Sequence, residues 1–157
     1  MTMLVRDAMR ADLEAVSPSA TLTALERLLT KQQISGVPVV DGQRIVGVVS
    51  RTDIVKATVA ERAVAEIASD WYHAPAAPQG SISEIGATMG EQLVKLTVAD
   101  VMTREVISVA PDDALIDAIK LMASKELHRV LVVANGKLAG ILTSTDVLRV
   151  LAEGKSV

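Results

Sequence analysis

Two aspartates in this chain each follow a hydroxyl residue by three positions, at the end of the same short pattern. One copy reads Gly47-Val48-Val49-Ser50-Arg51-Thr52-Asp53, and the other Gly140-Ile141-Leu142-Thr143-Ser144-Thr145-Asp146. In each, an apolar run leaves a glycine and delivers the hydroxyl and then the carboxylate into an amphipathic stretch. That spacing supports two kinds of chemistry. One is a capping box, in which Ser50 or Thr143 caps a helix and the acid reaches back to the cap residue's own amide, with no ligand required. The other is recognition of a phosphorylated sugar. A helix N-terminus preceded by a hydroxyl attracts anions, and the nearby Asp accepts hydrogen bonds from sugar hydroxyls. A single short motif favours the cap; two copies at matching places strengthen the ligand reading.

The other chemistry-bearing residues argue against an enzyme. The absence of Cys excludes thiol catalysis, disulfides and a zinc ribbon, and fits a reducing cytosol. His73 and His128 are the only histidines and lie far apart, so no metal site at recognisable spacing is read. Gly136-Lys137 lacks the Gly-x-x-x-x-Gly-Lys-Ser/Thr layout of a phosphate-binding loop, and Lys137 reads as a solvated turn residue. The nucleophile elbow Gly-x-Ser-x-Gly does not occur. Asp112-Asp113, just after Pro111, reads as a helix N-cap rather than a catalytic carboxylate pair.

Composition narrows the partners. The 157 residues amount to one ordinary domain or two small ones, and although 50% are apolar, no uninterrupted run approaches the ~18 needed for a membrane span. The opening Met1-Thr2-Met3-Leu4-Val5-Arg6-Asp7 has no secretory character, so a cytoplasmic location is expected. A net charge of -3, with Trp71 and Tyr72 the only aromatics, gives neither a general pull towards nucleic acid nor stacking platforms. A phosphate ligand would have to be held by local cations.

The two motifs are the ends of a duplication. Laying Val5 to Val55 over Val98 to Leu148 without a gap, a period of 93, gives 13 identities in 51 positions. Each copy opens with a short helix or turn (Val5 to Met9, Val98 to Met102) and a brief extended run ending at Val16 or Val109. Pro18 and Pro111 then introduce helices whose apolar faces are Leu22, Leu25, Leu28 and Leu29, and Leu115, Ala118, Ile119 and Met122. Hairpins follow, Val37 to Val40 with Ile45 to Val49 about Asp41-Gly42, and Val130 to Val133 with Leu138 to Leu142 about Asn135-Gly136. The predicted order is strand, helix, strand, strand, helix: an α/β fold, with repeats at 1–56 and 97–157 and a connection at 57–96. That connection continues as helix to about Ala68 with Val55, Val59, Ala63 and Ile67 inward, then becomes a linker at His73 to Gly80, then weakly apolar from Ile82 to Leu96. Trp71 and Tyr72 cover an edge of the core, anchor an interface or close over a ligand.

The repeated Gly-apolar-apolar-Ser/Thr-x-Thr-Asp ending, with Val37-Pro38-Val39-Val40 or Val130-Leu131-Val132-Val133 before it, resembles the cystathionine-beta-synthase (CBS) domain. Two such repeats form a Bateman module, related by a pseudo-twofold axis. The resemblance covers Leu4 to Lys56 and Thr97 to Leu151. It implies an adenosyl ligand, such as AMP, ADP, ATP or S-adenosylmethionine, in clefts between the repeats. The ribose would fall to Asp53 and Asp146, and the phosphate side to Ser50 and Thr143. Adenine would lie in apolar slots at Ala15 and Val37 and at Ile107 and Val130.

The resemblance also singles out His128-Arg129, since nucleotide-sensing members carry a similar pair that contacts phosphates. Arg offers a fixed forked cation and His a donor of tunable charge. The plainer reading has His128 half-buried and hydrogen-bonded, and Arg129 solvated. The matching Ser35-Gly36 carries no charge, so the clefts should differ. The Asp146 cleft is expected to favour phosphorylated ligands, and the Asp53 cleft to be empty, to take a nucleoside, or to borrow Arg51 or Arg104. The expected role is a regulatory adenine-nucleotide sensor, without a catalytic cofactor, that forms a homodimer and acts on a separate effector protein. Two alternatives stand: a protein-interaction module whose motifs are caps only, and a sensor of S-adenosylmethionine-type ligands.

Overall fold

The computed structural model of the protein describes residues 2–58, 72 and 96–157. Its elements follow the duplication. The first copy has α1 (Val5–Ala8), α2 (Leu22–Gln32), β1 (Gly36–Asp41), β2 (Arg44–Ser50) and α3 (Arg51–Thr58). The second has α4 (Val98–Val101), β3 (Ser108–Val109), α5 (Leu115–Ser124), β4 (Arg129–Ala134), β5 (Lys137–Thr143) and α6 (Ser144–Ala152). Val16 bridges Val39 in parallel, as Val109 of β3 pairs with Val132 of β4.

Local chemistry explains the boundaries. Thr21 caps α2 by accepting from the Ala24 amide at 3.1 Å, and the helix ends at Gln33 in the left-handed region (φ 54°). Glu126, the counterpart of Gln33, takes the same φ of 54° after α5. Here one expectation is corrected: the N-cap of α5 is Ala114, without a side-chain cap bond. Asp113 instead closes the preceding turn, accepting from the Ala110 amide at 2.8 Å, while Asp112 pairs with Arg6 at 2.6 Å. The hairpin turns also fall in register. β1 runs through Asp41, so its turn is Gly42-Gln43, opposite Asn135-Gly136 in the repeat. Gly42, Asn135 and Gly136 all take positive φ, the requirement of two-residue hairpin loops.

The chain forms two compact units that cut across the repeats: Met1–Leu13, Gln43–Ile45 and Val106–Val157 in the first, and Glu14–Gly42 with Val46–Glu105 in the second. Each unit takes its opening helix from the other repeat. In the first, the Val5 and Arg6 amides of α1 donate to Asp113 and Pro111 carbonyls at 2.9 and 3.0 Å. In the second, the Val98 and Ala99 amides of α4 donate to Ala20 and Pro18, both at 2.9 Å. The residues after these helices pair with the second hairpin strand. Arg10 and Ile141 exchange amide-to-carbonyl bonds of 2.9 Å each, and Thr103 and Val48 exchange bonds of 2.8 and 2.9 Å. This close approach is why each motif starts with glycine. A Cβ on Gly140 would lie 2.5 Å from the Arg10 carbonyl oxygen, and one on Gly47 2.6 Å from that of Thr103.

Each unit has its own apolar interior, built from equivalent positions. Val98, Leu22, Leu25, Leu29, Val37, Val39 and Val49 are buried in the second, and Val5, Leu115, Ala118, Met122, Val130, Val132 and Leu142 in the first. Each such large side chain contributes about 1.5–3 kcal/mol by leaving water. The helix faces read from spacing are thus the buried faces, with Leu28 and Ile119 only partly covered. The expectations for Val59, Ala63, Ile67, Trp71, the 73–80 linker and most of the stretch from Ile82 lie outside the described residues. Tyr72 is buried.

Candidate functional site

The capping box is present at both motifs. Asp146 Oδ2 accepts from the Thr143 amide at 2.9 Å and from its hydroxyl at 2.6 Å. Asp53 Oδ2 accepts from the Ser50 amide and hydroxyl at 2.7 and 3.1 Å. Three other aspartates close on an amide three residues earlier: Asp7 on Leu4, Asp100 on Thr97 and Asp113 on Ala110, at 2.9, 2.7 and 2.8 Å. The closure is therefore a building habit of this chain, and alone it marks no site. Asp100 is exposed, and the Thr97 amide, then its hydroxyl, hold its carboxyl below the ordinary carboxylate range. Burial separates the motif aspartates from these three, since Asp53 is 9% exposed and Asp146 1%.

A carboxylate shut away from water needs compensating charge or hydrogen bonds. For Asp146 the first unit supplies two guanidiniums, Arg10 with Nε 3.2 Å from Oδ1 and Arg149 with Nη2 3.0 Å from it. Neither aligns as a hydrogen bond, so Oδ1 remains a buried acceptor held by charge alone. Sequence reading missed both arginines. Arg149 was legible, because a residue three on from Asp146 lies beside it on a helix. Arg10 was not, because only the pairing of its strand segment with Ile141 brings it there.

The other residues singled out in the second copy lie on or beside β4. Arg129 sits directly across the β4–β5 ladder from Thr143, and Val130, fully buried, across from Leu142. Burial, and then the like charge of Arg10, pull the Arg129 guanidinium below its ordinary pKa. It is thus half-buried beside Arg10, not solvated. His128 is exposed, and its carbonyl accepts from the Ser144 amide at the start of α6 at 3.0 Å. Half-buried Ile107 adjoins β4, its carbonyl accepting from Leu131 at 3.3 Å.

The second unit repeats the scaffold with different side chains. Ser50, Asp53 and Val37 are buried, but Ala15 is exposed. Thr103, Gly36 and Lys56 occupy the places of Arg10, Arg129 and Arg149. Ser35, at the place of His128, accepts from the Arg51 amide through its carbonyl at 3.0 Å, while its own buried hydroxyl has no hydrogen-bond partner. Arg51 reaches the Thr30 hydroxyl at 3.4 Å, and Arg104 is exposed. Among the described residues, no group of three or more His, Asp or Glu could hold a metal ion, and no helix is long and apolar enough to cross a membrane.

A duplicated α/β unit with one buried, capped aspartate per copy, and an opening segment supplied by the other copy, defines a tandem-repeat module. The chain belongs to the CBS-domain family, whose model matches residues 5–60 and 98–153. Protein MJ1426 of Methanocaldococcus jannaschii is 34% identical over 156 residues, covering 95% of this chain and 91% of that protein. MJ1232 of the same organism is 29% identical over 138 residues, where 87% of this chain spans only 36% of the relative. The solved structure of CBSX2 in complex with AMP matches with a TM-score of 0.68 at 29% identity over 98% of both chains. The CBS domain pair of MJ0100, in complex with 5′-methylthioadenosine and S-adenosylmethionine, shares the fold, with a TM-score of 0.64 at 22% identity over 99% of this chain and all of that one.

Proposed function

We propose that the Asp146 site binds an adenine nucleotide and that the chain is a regulatory sensor rather than an enzyme. The observation that carries this reading is the buried Asp146 Oδ1, an acceptor without an aligned donor, flanked by Arg10 and Arg149, with Arg129 across the ladder from Thr143 and within reach of the Arg10 charge. A ribose supplies the missing donors and a phosphate the missing anion, with Thr143, Arg129 and His128 on the phosphate side and Ile107 and Val130 towards adenine. The binding of AMP by CBSX2 supports the ligand class.

Arg10 and Asp146 come from different repeats but lie in one compact unit, so a ligand touching both engages segments of both repeats within that unit. It shifts an equilibrium between two arrangements by as much as its affinities for them differ. The reader of that shift is a separate effector protein in the cytoplasm. The exposed Leu148 and Leu151 on α6 support a homodimer. The Asp53 site, with Ser50, Val37 and Ala15, takes a nucleoside at most.

The recurrence of the aspartate closure favours one competing reading, that both motifs are caps and the chain is a protein-interaction module. Isothermal titration of nucleotide-stripped protein with AMP, ADP, ATP and S-adenosylmethionine separates the two. The sensor binds a nucleotide once per chain; the cap-only module binds none of the four.

A further inference from the structure

The two copies differ most sharply at Arg10, whose counterpart is Thr103. The Arg10 main chain is fixed, with bonds of 2.9 Å to Ile141 in both directions and Gly140 leaving no room for a side chain between them. Its side chain is not: it is 55% exposed and reaches Asp146 through a contact of 3.2 Å that forms no aligned hydrogen bond. Arg149 is more restrained, sharing a helix with Asp146 and donating to the Ala8 carbonyl at 3.5 Å.

Asp146 Oδ2 is spent on the helix cap. An incoming ribose must therefore use Oδ1, which two guanidiniums cover. Of the two, Arg10 is the less restrained, since Arg149, nearly as exposed at 50%, also holds the Ala8 carbonyl. In swinging away, Arg10 leaves a carboxylate for the neighbourhood of another cation, Arg129, whose guanidinium already feels its charge. That move is unfavourable unless an anion arrives with the ribose.

We infer that Arg10 sets the ligand class of this site: it covers Asp146 until a phosphate draws it off, so phosphorylated adenosyl compounds are taken and uncharged or sulfonium ones refused. The inference rests on the nucleotide reading above and adds to it a residue and a direction of selectivity. Arg10 exchanges one anionic partner for another, and the Asp146 carboxylate passes from guanidinium to ribose hydroxyls in the same event.

The test is titration of AMP and 5′-methylthioadenosine into the wild type, Arg10→Thr and Arg10→Gln. Threonine is the residue the other copy carries on the same backbone pairing, and glutamine keeps length without charge. A charge-assisted hydrogen bond exchanged for a neutral one changes affinity about tenfold or more. The wild type is expected to prefer AMP by at least that factor. Both variants should bind AMP about tenfold more weakly and 5′-methylthioadenosine more tightly, shifts of opposite sign that loss of a merely structural contact does not produce. Equal shifts for both ligands, or unchanged AMP affinity, overturn the role of Arg10 while leaving the nucleotide reading intact. A wild type that binds neither ligand overturns both.

Discussion

Asp53 and Asp146 occupy one place in the repeat, and each closes on the hydroxyl residue three positions before it. Arg10 and Arg149 contact Asp146, and Arg129 lies across the ladder from Thr143; in the other copy the same positions hold Thr103, Lys56 and Gly36. The cap, the glycine and the paired strand segment are common to both and are required to start the helix and join the repeats. Arg10 and Arg129 are not required by the fold, since the other copy carries Thr103 and Gly36 in their places and keeps a cation, Lys56, only at the place of Arg149. On the proposed reading, duplication separates two tasks that share one carboxylate: closing a helix and receiving a ligand.

Substitutions at matched positions can break that comparison. The largest effect is expected at the glycines. Gly140→Ala and Gly47→Ala each force a Cβ onto a backbone oxygen and should each cost about 1–3 kcal/mol, read by denaturant unfolding. Only Gly140→Ala should also lose nucleotide binding, since it displaces the segment that carries Arg10. Next comes Arg129→Ala, which should weaken AMP about tenfold or more and leave adenosine unchanged, by titration. Thr143→Val and Ser50→Ala should each cost a cap, about 1 kcal/mol, with a binding defect only at Thr143.

The smallest effect concerns Asp100, the exposed version of the same closure. Its folded pKa lies below the unfolded value of about 3.9, so its stabilisation is complete above that value and is lost as pH falls through the lower, folded one. Thermal unfolding of Asp100→Asn should therefore fall below wild type at neutral pH and converge with it in strong acid.

Much of this architecture was legible in the sequence because its signals are local. The 93-residue period, the helix faces at Leu22, Leu25 and Leu29, and the hairpin alternation are written in consecutive residues. The motif aspartates were legible for the same reason, whereas Arg129 was singled out only through the family resemblance. What escaped depends on residues far apart in the chain. Nothing local says that Arg10 pairs with Ile141 or that Asp112 meets Arg6, so the exchange of opening segments and the cation facing Asp146 appear only in three dimensions. The N-cap at Asp112-Asp113 was misplaced because an acid near a helix start can close the turn before it as readily as the helix itself.

On the proposed reading, one buried aspartate binds and its twin only caps. Titrating AMP into nucleotide-stripped wild type, Asp146→Asn and Asp53→Asn tests it most directly, because asparagine keeps the size of each side chain and removes the charge. Asp146→Asn is expected to lose AMP binding while Asp53→Asn retains it at wild-type affinity. Equal loss in both variants, or AMP binding that survives Asp146→Asn, would contradict it.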